Sequence, residues 1–140
     1  MPRRLLLGLL LLISLSAAAQ TEEKFKVRLT TVPMDGAMRS SVAGSGAGNA
    51  SLSGSKLNVS VSFDGMPSAA TTAKIHKGAA TGVRGTAFLD LNVTKAEKGT
   101  VTGTIDLKAD QIDSLRKGLL YIQISSVTSP EGTLWGWILK

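Results

Sequence analysis

The sequence predicts an all-β, antiparallel domain of about eight strands, a sandwich or a barrel, with one short helix near residues 110–117. Three observations predict it. Leu57, Val59, Val61 and Phe63 alternate with Asn58, Ser60 and Ser62, which is the period of a strand with one buried face. Clusters of Gly, Pro, Asp and Ser interrupt such runs at short intervals, the punctuation expected of sandwiches and barrels. Aromatic residues make up only 4% of the chain against 43% hydrophobic residues, so the core is built from Val, Leu, Ile and Ala.

The first segment is not part of that fold. Arg3 and Arg4 precede an apolar run from Leu5 to Ile13, and Ala17-Ala18-Ala19 supplies small residues for a signal peptidase. Residues 1–19 are therefore expected to be a signal peptide, cleaved between Ala19 and Gln20, with residues 20–140 as the domain. The run falls short of the roughly 20 apolar residues of a membrane span, so no span is expected after cleavage. The expected location is secreted or periplasmic.

Phe25, Val27 and Leu29 alternate with Lys26, Arg28 and Thr30 in a first strand over Lys24–Val32, stopped by Pro33. Residues Met34–Gly48 are rich in Gly, Ser and Ala and are expected to form a loop. Its Gly44-Ser-Gly-Ala-Gly48 lacks the Lys and the strand-to-helix setting of a phosphate loop. Asn49–Ser53 and Leu57–Phe63 form a hairpin turning at Gly54-Ser55. Ala73–Lys77 is a short strand ending at Gly78, and Gly82 and Gly85 frame the turn into a strand over Thr86–Val93. Thr100–Leu107 follows, with Gly103 as a candidate bulge. Asp110 is expected to cap a helix over Asp110–Lys117, with Asp113 in its first turn, Ile112 and Leu115 docking, and Gly118 ending it. Leu119–Ser125 and Thr133–Leu139 are the last strands, split by the turn Ser129-Pro-Glu-Gly132.

Composition excludes several functions. There is no cysteine, hence no disulfide, thiolate metal site or cysteine nucleophile. The net charge is +6, and +4 once Arg3 and Arg4 are removed. The basic residues are scattered rather than clustered with aromatics, so no nucleic-acid partner is expected. A mild positive field attracts anionic surfaces. No carboxylate pair and no Gly-x-Ser-x-Gly elbow stands out, and the lone histidine, His76, has no acidic partner in sequence. The chain is expected not to be an enzyme and to need no cofactor.

Three stretches, Ala73-Lys74-Ile-His76-Lys-Gly78, Leu115…Gly118…Tyr121-Ile-Gln123-Ile-Ser125-Ser126 and Pro130-Glu-Gly132-Thr-Leu-Trp135-Gly136-Trp137-Ile138, together resemble the CHRD domain family first described in chordin. The resemblance implies an all-β, immunoglobulin-like extracellular domain, here a Greek-key sandwich, with no established enzymatic activity. It also implies histidines at the positions of Lys74, His76 and Ser125, which could converge on zinc or copper if their strands were neighbours. Only His76 is present, and a protonated lysine offers no lone pair, so no metal site is expected. The family carries polar residues at the positions of Trp135 and Trp137. That points these indoles outward, with Leu134 and Ile138 in the core. On an outer face the pair is either a platform for a sugar, a peptide or a second subunit, or is packed beneath a neighbouring loop or the helix.

The function read from the sequence is a non-catalytic extracytoplasmic binding or structural module. Its partner would be a protein or glycan at the cell envelope, and its candidate surface holds Lys74, His76, Gln123, Ser125, Trp135 and Trp137. The less favoured readings are a metal-binding, dismutase-like sandwich and a hydrolase using His76.

Overall fold

The chain's structure is a computed structural model, which describes residues 21–33, 36–38 and 40–140. The expected signal peptide and the Ala19–Gln20 cleavage site lie outside the described residues. Among the described residues, eight strands and one α-helix follow in order: β1 Glu22–Thr31, β2 Ser45–Ser53, β3 Lys56–Asp64, β4 Ala70–Lys77, β5 Thr86–Val93, β6 Gly99–Asp106, α1 Ala109–Arg116, β7 Leu120–Ser126 and β8 Leu134–Leu139. A 3₁₀ turn spans Gly36–Met38.

All strand pairs are antiparallel, and the order β1-β2-β3-β6-β5-β4-β7-β8 closes on itself. The order β3-β6-β5-β4 is a Greek key. The expected sandwich is corrected to a closed barrel. The reason lies in two strands that pair on both sides: β8 with β1 and β7, and β5 with β4 and β6. A sandwich would leave those edges unpaired, and an unpaired edge is a template for aggregation.

Alternation decides what faces inward. Phe25, Val27 and Leu29 of β1, Leu57, Val59, Val61 and Phe63 of β3, Ile122 and Ile124 of β7, and Leu134 and Ile138 of β8 fill the barrel. Each fully buried Leu or Ile side chain stabilises the fold by roughly 1.5–3 kcal/mol relative to exposure.

The expected loop over Met34–Gly48 is also corrected, because β2 begins at Ser45 and absorbs most of the glycine-rich stretch. Gly46 and Gly48 are strand positions without room for a side chain. A Cβ at Gly48 would stand 2.2 Å from the Ser60 carbonyl and 2.9 Å from Val61 Cγ2. Gly103 is not a bulge: it pairs with Val59 in unbroken register, and a Cβ there would meet Leu91 Cδ2 at 2.7 Å. Register breaks fall instead at Ile75/His76 and Ala70/Thr72 of β4.

The chain must pass from β6 to β7 across two intervening strands, and α1 makes that passage. Leu115 is buried in the core cluster with Ile112 packed beside it. Lys108, not Asp110, occupies the N-cap; its backbone N–H donates to Gln111 Oε1 at 2.9 Å. Asp113 therefore lies mid-helix, paired with Lys117 at 2.8 Å. Gly118, at φ +73°, ends the helix as expected.

The end of α1 is tied to the start of β1 and to Lys140. Arg116 Nε donates to the two carboxylate oxygens of Glu23 at 3.0 and 3.2 Å, and Lys140 Nζ lies 3.3 Å from the same carboxylate. The Arg116 hydrogen bonds foremost, then Lys140, hold the Glu23 carboxyl below the usual glutamate range. A carboxyl lowered in the folded state contributes stability above its unfolded value and loses it as pH falls through the folded one. Glu23→Gln should therefore lower the melting temperature at neutral pH. Its gap to wild type should close as pH falls below the ordinary glutamate range. Thermal melts of both proteins over a pH series check this; a gap that is constant with pH would refute the pairing.

Candidate functional site

Neighbouring strands β4, β7 and β8 lay the predicted residues on one outer surface. Their registers align Lys74 with Gln123 and Trp135 in one row, and His76 with Tyr121 and Trp137 in the next. Ser125 pairs with Thr72, one row beyond Lys74 and two rows from His76. Five of the six candidate residues are thus contiguous, with Ser125 at the edge.

The residue that organises this surface is Tyr121, which in the sequence stands out only as part of the stretch that carries the family resemblance. It alternates outward, between inward Leu120 and Ile122, yet it is 1% exposed. His76 stacks on its ring, with centroids 4.9 Å apart and planes 19° apart. Trp137 lies against it at 4.5 Å, and Trp135 meets it edge-on at 5.5 Å. The two indoles contact each other edge to face at 5.8 Å. Such offset and edge-on pairs are the favoured aromatic geometries, each worth roughly 0.5–1.5 kcal/mol beyond burial.

The loop from Gly78 to Gly85 covers what the rings leave open. Gly85 donates its N–H to the Tyr121 hydroxyl at 2.9 Å, and the hydroxyl donates back to the Gly85 carbonyl at 3.1 Å. His76 Nδ1 is 3.1 Å from that same carbonyl. A carbonyl can only accept, so Nδ1 carries the proton, and in the neutral ring Nε2 holds the lone pair. The loop is fastened elsewhere by Gly78 N–H to the Leu119 carbonyl at 2.9 Å and Thr81 Oγ1 to the Gly118 carbonyl at 2.7 Å.

Two glycines permit this fit. A Cβ on Gly85 would stand 1.6 Å from the Lys77 carbonyl oxygen, and one on Gly78 would stand 2.0 Å from the Val83 carbonyl and 3.0 Å from Trp137 Cη2. The glycine spacing after His76 therefore serves close backbone approach. The register break before His76 opposes two β5 residues to one of β4 there, the kind of bulge that re-aims a side chain.

The two readings of the tryptophans meet in one arrangement. Leu134 and Ile138 are fully buried and both indoles face outward, as expected. Trp137 packs beside Gly78 of the loop, and the Arg84 guanidinium stands 5.8 Å from the Trp135 ring centroid. Both indoles are half-buried rather than fully covered. Lys74 pairs with Asp90 at 3.8 Å in an exposed contact, which contributes little. Gln123 Nε2 donates to the Glu131 carbonyl at 3.0 Å.

Chemically, the Tyr121 hydroxyl is spent on both polar groups of Gly85. His76 is oriented by a backbone carbonyl rather than a carboxylate. Nε2 could offer a metal one ligand, while the partner positions hold Lys74 and Ser125. Among the described residues no group of three or more His, Asp or Glu side chains is placed to hold a metal ion.

No curated protein and no solved structure matches the chain. The family model described as CHRD domain matches residues 25–138, from the first buried ring of β1 to the last core residue of β8. The chain belongs to the CHRD domain family.

Proposed function

We propose that this protein is a non-catalytic, extracytoplasmic binding module that meets a component of the cell envelope through the outer face of β4, β7 and β8. The observation that carries this reading is the outward-facing, half-buried Trp135–Trp137 pair, held on a base of Tyr121, His76 and the 78–85 loop. The base fixes the indoles before any partner arrives, so little conformational entropy remains to be lost on binding. Amphipathic indoles supply large contact area, which is why tryptophan is enriched among residues that dominate interfaces. The absence of a carboxylate partner for His76 in its hydrogen bonding, and the double engagement of the Tyr121 phenol, support a surface rather than a reaction centre.

Retention on isolated envelope material tests this. Wild-type protein should be retained, and the Trp135→Ala, Trp137→Ala double variant should lose at least tenfold, since each hot-spot truncation costs on the order of 2 kcal/mol. Equal retention of a folded double variant would sink the reading.

A further inference from the structure

We propose that the outer face of β8 docks on an anionic phospholipid surface, a proposal that rests on the reading of this face as the recognition surface. Three apolar residues alternate outward along β8: Trp135, Trp137 and Leu139, the last 40% exposed. Val83, 47% exposed, adds to them from the adjacent loop. Tryptophan, with an apolar body and one N–H, is the side chain that settles at the depth of lipid headgroups.

Cations rim this strip. The β1–β8 register sets Lys26 opposite Leu139 and Thr30 opposite Trp135, so Arg28 stands level with Trp137. Arg84 leans over Trp135 from the other side. All three are exposed, and among the described residues none is ion-paired. The carboxylates of the flanking elements are largely neutralised: Glu23 by Arg116 and Lys140, Asp90 by Lys74, Asp113 by Lys117. Glu22, at the start of β1, Asp110, in the first turn of α1, and Glu131, in the turn before β8, hold no cation among the described residues.

The far side of the barrel has neither property. Residues 47–51 of β2, 58–62 of β3 and 100–104 of β6 contain no charge and no aromatic ring, and their outward positions are Ser, Thr, Asn and Ala. The molecule is thus amphipathic as a whole, apolar and cationic on one face, neutral and hydroxyl-rich on the other. A convex barrel face needs no matching pocket to meet a lipid plane, only an apolar edge and phosphate-seeking cations. Negative headgroups would draw Lys26, Arg28 and Arg84 while the indoles enter the interface.

Co-sedimentation of the exported, purified protein with lipid vesicles tests the proposal. Phosphatidylcholine vesicles containing about one-third phosphatidylglycerol should bind the protein at least tenfold more tightly than pure phosphatidylcholine, and high salt should abolish the difference. Both tryptophans of the chain lie in the strip, so emission should shift to the blue on binding. Lys26→Gln with Arg28→Gln, both at exposed positions that leave the core intact, should weaken binding by on the order of tenfold. Trp135→Ala with Trp137→Ala should remove it.

No preference for the anionic vesicles, or binding unchanged in the folded Lys26/Arg28 variant, would overturn the proposal. Trp-dependent retention on envelope material without vesicle binding would point to a protein or glycan partner. The lipid inference would then fall while the recognition face stood. Trp-dependent self-association in place of vesicle binding would also overturn it.

Discussion

Replacing Gly85 with alanine should lower the melting temperature by about 10 °C or more and turn the tryptophan emission red. The new Cβ would fall 1.6 Å from the Lys77 carbonyl oxygen, with Gly78 Cα at 2.9 Å behind it. Both are backbone atoms at the base of the loop, so no side chain can swing aside and the loop itself must lift. Overpacking of this kind costs roughly 1–3 kcal/mol. Lifting the loop also strips the Tyr121 hydroxyl of both its partners, and a buried polar group left unpaired costs roughly 1–3 kcal/mol more. About 4 kcal/mol in total corresponds to the stated shift for a domain of this size. Tyr121→Phe separates the two contributions, because it removes the hydroxyl without adding bulk and should cost only about 1–2 kcal/mol. It also keeps the test open if Gly85→Ala fails to fold. A Gly85→Ala protein with wild-type melting and wild-type emission would show that the loop is not pinched against β4.

This experiment bears on the part of the site that the sequence concealed. Period-two alternation places Tyr121 outward, and an outward position is wet only when nothing lies on it. Here eight residues from Gly78 to Gly85 fold back over the ring. No local pattern in β7 carries that information. The tryptophans were legible through the resemblance instead: the family's polar residues at the positions of Trp135 and Trp137 mark the outer face, and Leu134 and Ile138 take the core by parity. The strands with strong alternation, β1 and β3, were legible almost to their ends. The first half of β2 was not, because glycine shows no preference between a core face and a solvent face. The helix was recognisable from Ile112, Leu115 and Gly118. Its start was displaced because a backbone N–H bonded to Gln111, rather than an acidic side chain, closes the first turn.

The choice between sandwich and barrel was hidden for a further reason, since it depends on pairing between strands from opposite ends of the chain. Gly136→Ala tests that pairing and should cost about 3 kcal/mol. Gly136 lies inward on β8 at the seam with β1, where a Cβ would stand 2.5 Å from the Arg28 carbonyl oxygen and 2.9 Å from Leu29 Cδ2. The Leu29 methyl could turn, but the carbonyl belongs to the backbone of the partner strand. The variant must therefore push β1 and β8 apart or twist one against the other. Hydrogen exchange should show amides of β1 and β8 losing protection well ahead of those in β3 and β6, since stability is lost where the ladder opens. Two newly exposed edges should also make the variant prone to association. If Gly136→Ala keeps full protection along β1 and β8 and melts like wild type, the two strands do not meet as described. The fold would then be an open sandwich, and Lys26 and Arg28 would no longer be held beside the tryptophans.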